Sequence, residues 1–230
     1  MSKISVNIKG FGSHDFSPGI TPIEIMNDIK GVSKKSIICK VDGLLTDLSS
    51  PLSNDCEVQF MDAQSKDGHS VLLHSTAHLM AQAVKRLFPK TKVTIGPYLD
   101  NRFYYDFDVE KPFTEEDLLK IEAEMKKISD ENLQITHEVK SKKEAIGYFE
   151  EIKENYKVEI INDLGDNEII KVYSQGEFTD LCRGPHVPST GLIKNFKLLS
   201  SSAAYWRGDE KNQTLQRVYA VSYTHLTLPT

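Results

Sequence analysis

Ser70-Val-Leu-Leu-His74-Ser-Thr-Ala-His78-Leu-Met-Ala-Gln-Ala-Val-Lys-Arg-Leu-Phe88 has the period of a helix, with Ser70 as its expected cap and Pro89 as its stop. Ala77, Met80, Ala81, Val84 and Phe88 recur at three- and four-residue steps, so one face is apolar. His74 and His78 are one turn apart, separated by about 40° around the axis. Both imidazoles therefore sit on one margin of the apolar stripe and can enter one pocket beside the core. More than a hundred residues later, Asp180-Leu-Cys182-Arg-Gly-Pro-His186 reads as a polar loop that presents two more ligands or bases. The four side chains can make one site. Two His with Cys and His match the nitrogen and sulfur preference of zinc. Ser75 follows His74, so the glutamate of a His-Glu-x-x-His metalloprotease helix is missing.

The rest of the chain frames that helix. Its 230 residues suit one large domain, or a small one and a medium one. Ile4, Val6 and Ile8 alternate, a turn follows near Gly10 to Ser13, and a second strand closes at Phe16. Thr21-Pro22 opens a short helix over Ile23 to Ile29. Ile37 to Val41, the turn Asp42-Gly43, Leu44-Leu45 and Glu57 to Met61 supply three further strands. This order predicts a ubiquitin-like β-grasp over residues 1–62. His14, Cys39 and Cys56 have no catalytic context there. From residue 63 onward strands and helices interleave without a βαβ rhythm, which predicts an α+β domain, an antiparallel sheet with covering helices, over 63–221. Its expected helices start at Thr114 and Ser141, each with an acid three residues on. Its expected strands include Phe103 to Phe107, Gln134 to Val139, Val158 to Ile161, Ile169 to Tyr173, Phe196 to Ser200 and Leu215 to Ala220.

Composition excludes several classes. No run approaches the ~20 apolar residues of a membrane span, and the start has no apolar signal region. Three cysteines without framework spacing point to free thiols, a reducing compartment and the cytoplasm. A net charge of −5 gives no general attraction to nucleic acid. Basic residues still cluster locally, at Lys85, Arg86, Lys90 and Lys92, at Lys140, Lys142 and Lys143, and at Lys194, Lys197, Arg207, Lys211 and Arg217. Such clusters can follow a phosphate backbone or merely solvate a surface.

His74-x-x-x-His78 with Cys182-Arg-Gly-Pro-His186, together with Ile95-Gly-Pro97 and Phe103-Tyr-Tyr-Asp106, resembles the amino-terminal part of the bacterial threonyl-tRNA synthetase family. The resemblance implies a TGS domain over 1–62 and an editing domain over 63–221, of a type shared with alanyl-tRNA synthetase. It implies hydrolysis of mischarged Ser-tRNA(Thr), because one methyl group discriminates by only ~1–3 kcal/mol and a second, hydrolytic sieve is needed. By the same resemblance His74 and Lys157 activate or position the water and Asp180 holds the substrate ammonium. His78, Cys182 and His186 shape the pocket and bind the terminal adenosine or the leaving oxygen, and Tyr104, Gly96 and Pro97 line it.

The implied partner is the acceptor end of tRNA(Thr) carrying serine. Editing is expected to require no cofactor, although zinc on His74, His78, Cys182 and His186 stays open, as in the alanyl relative. ATP and a further zinc belong to the family's synthetic core, which has no counterpart in these 230 residues, so no ligase activity is expected of them. The family's homodimer forms mainly through that core, which leaves a monomer here. Two other readings are a free-standing zinc-dependent trans-editing hydrolase and a non-catalytic RNA-binding module. Residues 222–230, Ser-Tyr-Thr-His-Leu-Thr-Leu-Pro-Thr, carry no charge and no periodic face. They are expected to be a disordered, non-family tail on a truncated reading frame.

Overall fold

The computed structural model of the chain describes residues 3–99, 101–165 and 168–223. Two compact units are present, Met1–Leu72 with Gly184–Pro188, and Leu73–Arg183 with Ser189–Thr230.

In the first unit the strands are β1 (Ile4–Ile8), β2 (Gly12–Phe16), β3 (Ser36–Val41), β4 (Leu44–Thr46) and β5 (Cys56–Asp62), with one helix, α1 (Pro22–Asp28). The sheet order is β2-β1-β5-β3-β4, with β1 and β5 parallel and the other pairs antiparallel. This is the β-grasp order. Ile4, Val6 and Ile8 alternate inward and meet Ile25 and Met26 of α1, Cys39 and Val58 in one core. Thr21 and Glu24 form a reciprocal capping box at the start of α1, and Pro22 takes the first helical position, where no donor is lost. Asp42 and Gly43 both have positive φ, +48° and +83°, as a two-residue hairpin turn requires.

α2 (Lys66–Leu87) is longer than its sequence period indicates and starts four residues before Ser70. Ser65 Oγ accepts the Gly68 N–H at 3.1 Å, the bond an N-cap makes, whereas Ser70 Oγ donates back to the Lys66 carbonyl within the helix. Gly68 lies so close to strand β5 that a Cβ there would stand 1.9 Å from the Asp62 carbonyl oxygen.

In the second unit β6 (Lys92–Val93), β7 (Tyr98–Leu99) and β8 (Arg102–Asp108) are followed by α3 (Glu115–Glu131) and β9 (Ile135–Lys140). Next come α4 (Lys142–Glu151), α5 (Asn155–Asp163), β10 (Ile170–Gln175), β11 (Phe178–Leu181), β12 (Phe196–Tyr205) and β13 (Thr214–Ser222). Among the described residues of this unit the strands form two antiparallel sheets. β11-β10-β9 is three-stranded, and β12-β13-β8-β6, with β7 also on β8, is five-stranded. Thr114 with Asp117 and Ser141 with Glu144 form the two expected capping boxes.

Val158 to Ile161, read as a strand, is the middle of helix α5. The run is too short for periodicity to decide between the two, and the buried residues Lys157 and Ile161 stand four apart, which is helical spacing. Ile161 joins Ala145, Phe149, Ile170 and Val172 in a satellite core that seats α4 and α5 on β10. β13 includes Ser222, and the Tyr223 N–H bonds the Asn195 carbonyl at 2.9 Å. The ordered chain thus extends into the uncharged stretch, and residues 224–230 lie outside the described residues.

The capping box on α3 is exposed and local, so its removal isolates its own contribution. Thr114→Ala should lower the stability of the second unit by about 1 kcal/mol, measured by urea denaturation, while leaving the α2 environment unchanged.

Candidate functional site

A cavity of about 430 Å³ opens in the second unit, lined by His74, His78, Gly96, Pro97, Tyr105, Lys157, Asp180 and Cys182 among others. Each comes from a different local necessity. His74 and His78 stand on successive turns of α2, with ring centroids 5.2 Å apart and the planes nearly perpendicular. Tyr105 comes from the inward face of β8, where Phe103, Tyr105 and Phe107 alternate into the core at no more than 1% exposure. Gly96 lies flat against that ring. A Cβ at Gly96 would sit 2.3 Å from Tyr105 Cδ2, so only glycine fits the approach.

Asp180 is the centre of the polar lining. The sequence reading places it in a loop, but it lies in β11, and strand alternation turns it inward. It is 1% exposed, and Lys157 is 2% exposed. The Lys157 ammonium stands 2.5 Å from Asp180 Oδ1. It donates as well to the Thr94 carbonyl at 2.5 Å and to Tyr105 Oη at 3.2 Å. Tyr105 in turn donates to Asp180 Oδ2 at 2.7 Å, and His78 Nε2 is 3.8 Å from that oxygen. Oδ1 accepts no well-directed hydrogen bond despite its burial, so it is held by the charge of Lys157.

These neighbours fix the charge states. Burial pushes the Asp180 carboxyl up, but the close Lys157 ammonium, His78 and the hydrogen bond from Tyr105 outweigh it and hold the group below its ordinary range. Burial raises the Tyr105 phenol well above its usual value, with Asp180 adding to the effect, so it remains a donor. Burial also lowers His78 to about 3 against the opposing pull of Asp180, with His74 and Lys157 lowering it further. His78 is therefore a neutral imidazole near neutral pH.

Cys182 Sγ is 3.2 Å from His74 Nε2. One ligand atom from each of His74, His78 and Cys182 falls within 4.8 Å of the others, a donor set compatible with zinc. His186 belongs to the segment Gly184–Pro188, which groups with the first unit. There it is buried, and its backbone N–H donates to the Asp47 carboxylate at 2.9 Å. Gly96, Pro97, Lys157 and Asp180 all line the cavity with the two histidines and the cysteine.

Tyr104 does not. Alternation along β8 puts it on the opposite face, where the Arg217 guanidinium lies 3.9 Å from its ring centroid, and Tyr105 takes the pocket position. The signal was present in the sequence, since Phe103, Tyr105 and Phe107 are the apolar set of a period-2 strand. Nothing in the sequence pointed to the Thr94 carbonyl.

Most of the basic clusters are paired rather than open. Lys85 meets Glu154, Arg86 meets Glu131 and Glu177, Lys140 meets Glu138, Lys197 meets Glu122 and Arg217 meets Asp106. Among the described residues no helix is long and apolar enough to cross a membrane.

The family described as the second additional domain of threonyl and alanyl tRNA synthetases matches residues 170–219, the stretch that carries β10, β11, Asp180 and Cys182. That stretch of the second unit is thus similar to the synthetase additional-domain class. The particular relatives are threonine–tRNA ligases. That of Pelobacter propionicus is 50% identical over 224 residues, 97% of this chain and 35% of the relative. That of Fusobacterium nucleatum is 54% identical over 201 residues, 85% of this chain and 32% of the relative, and that of Acetivibrio thermocellus is 47% identical over 222 residues, 96% and 35% respectively. The chain is homologous to the amino-terminal region of threonine–tRNA ligases, and it spans about a third of the length of these curated relatives.

A buried ion pair is costly to break from one side only. Lys157→Met, which strands the Asp180 carboxylate, should destabilise the second unit by about 3–5 kcal/mol. The double variant Lys157→Met/Asp180→Asn should recover most of that loss. Urea denaturation of wild type and the two variants decides the matter, and equal losses in single and double variants would contradict the pairing.

Proposed function

We propose that the second unit is an editing hydrolase that cleaves the ester of Ser-tRNA(Thr), and that the first unit is the TGS domain of the same synthetase region. The observation that carries the reading is the buried Asp180 carboxylate at the base of the cavity, framed by Lys157, Tyr105 and His78. A small cationic amino acid ester needs one buried anion for its ammonium, and such charge-assisted contacts are about twice as strong as neutral ones. The homology supports tRNA as the partner.

In this reading Asp180 binds the seryl ammonium and so fixes the ester carbonyl. His74, at the less buried edge of the cavity, takes a proton from the attacking water. The Lys157 ammonium, which lines the cavity, places a positive charge beside the developing oxyanion, and Tyr105, whose hydroxyl proton goes to Asp180, holds that carboxylate in place. The bond between the acyl carbon and the ribose oxygen breaks, the proton held by His74 passes to that oxygen, and free serine and tRNA leave. His78, neutral and buried, orients Asp180, while Gly96 and Pro97 close one wall. Cys182 bonds His74, and His186, four residues further along, is assigned to the adenosine end.

His74, His78 and Cys182 have the donor types that zinc accepts, and zinc bound there would supply a Lewis acid for the ester carbonyl. Editing does not require it in this reading, because Lys157 and His74 already provide a cation and a base.

The test gives purified protein both Ser-tRNA(Thr) and Thr-tRNA(Thr). The seryl ester should be hydrolysed faster, with a rate unchanged after chelation, and His74→Ala should lower that rate by roughly 10²–10⁴-fold. Equal hydrolysis of the two esters, or none of either, would overturn the reading. Loss of activity on chelation and its return with zinc would overturn the metal-free form.

A further inference from the structure

The proposed chemistry uses His74 and His78 of α2, but the same ridge of the helix continues as Gln82 and Arg86, again at four-residue steps. Each rung of this ridge faces the β10–β11 hairpin. His74 meets Cys182 at 3.2 Å and His78 meets Asp180 at 3.8 Å. Gln82 exchanges amide hydrogen bonds with Gln175. Its Nε2 donates to the Gln175 carbonyl at 3.2 Å and to Glu177 Oε1 at 3.0 Å, and it accepts from Gln175 Nε2 at 2.8 Å. Arg86 grips Glu177 at 2.5 and 3.1 Å and is backed by Glu131 on α3 at 2.6 and 2.8 Å.

Geometry makes this a register device. Four helical residues advance ~6 Å, and two strand residues advance ~6.7 Å, so the rows are in step from His74 and Cys182 to His78 and Asp180, beyond which Gln82 and Arg86 hold the turn itself through Gln175 and Glu177. Phe178, Asp180 and Cys182 share one face of the outgoing strand. Whatever fixes the turn at Gly176, with φ of +58°, therefore fixes how high Asp180 and Cys182 stand beside α2. Gln82 and Gln175 are 0% and 2% exposed, and a buried amide left without its partner is costly. Slippage of the hairpin along the helix would strand both.

We propose that Gln82 and Arg86 are positioning residues for the site: through Gln175 and Glu177 they set the height of the β10–β11 hairpin on α2, and so place Asp180 and Cys182 opposite His78 and His74. The activity readout rests on the editing reading above, and the spectroscopic one does not.

The experiment compares wild type with Gln82→Leu/Gln175→Leu, which removes both partners of the side-chain amide bond at once and takes the Gln82 donor from the Gln175 main-chain carbonyl and from Glu177. Imidazole NMR signals of His74 and His78, assigned with His→Asn variants, report the positioning. Hydrolysis of Ser-tRNA(Thr) reports its consequence. The expected result is shifted imidazole signals and a kcat lower by about 10–100-fold, the scale of an ångström-level misplacement, with KM changed by less. Thr114→Ala, a destabilised control away from the ridge, should leave the signals in place. Arg86→Gln, at the half-exposed end of the ridge, provides the same readouts if the double variant does not fold, and Arg86→Lys should restore part of the effect. Unshifted His74 and His78 signals in a folded ridge variant would overturn the proposal. If wild type hydrolyses neither ester, the editing reading fails and the imidazole signals alone decide this one.

Discussion

Removing a carboxylate and an ammonium from water costs several kcal/mol for each ion, and their attraction offsets this only when geometry and further hydrogen bonds are in place. Asp180 and Lys157 meet that condition through three elements. β11 brings the carboxylate, α5 brings the amine, and β8 brings the phenol that bonds both. The Thr94 carbonyl takes another of the amine's hydrogens. None of these groups is satisfied unless the others are in position, so the fold around the cavity is specified by a polar cluster as much as by its apolar core. A folding role alone is often served as well by apolar packing of the same volume. The retained charge is the reason to read the cavity as a site.

α2 supplies the reference line for that cluster. Its apolar stripe is buried through Ala77, Met80, Ala81 and Val84, each at 0% exposure, which fixes the rotation of the helix. The His-His-Gln-Arg ridge then faces the hairpin as a consequence of that rotation. The ridge changes character along its length, from reactive groups at one end to amide and ion-pair anchors at the other. Gly96 and Tyr105 complete the opposite side through a contact so close that no larger residue can replace the glycine without moving the ring.

Much of this was legible in the sequence where a physical signal is local. Alternation in Ile4 to Ile8, the Thr21-Pro22 helix start and the Asp42-Gly43 turn specify the small sheet, and the His74/His78 spacing specifies a two-imidazole face. The losses occur where local signals are ambiguous or silent. Val158-Glu-Ile-Ile161 is apolar enough for a strand and just as suited to a helix, and tertiary packing of Ile161 against Phe149 and Val172 decides it. Phe178 to Leu181 is four residues long, too short to announce itself as a strand beside a Gly-Pro loop. Tyr104 and Tyr105 are adjacent and chemically identical, and only the phase of the strand, set by Phe103 and Phe107, separates the pocket residue from its neighbour. Lys157 carries no sequence sign of burial, because what buries it is a carboxylate 23 positions away on another element.

The central claim is that Asp180 serves as the receptor for a substrate ammonium. Calorimetric binding of non-hydrolysable 3′-amide analogues of aminoacyl-adenosine tests it most directly, with one analogue carrying serine and the other carrying the same group with hydroxyl in place of the amine. The wild-type protein should prefer the seryl analogue by about 10–100-fold, the worth of one charged hydrogen bond, and Asp180→Asn should abolish that preference. Equal affinity of wild type for both analogues, or an undiminished preference in the Asn variant, would contradict the account.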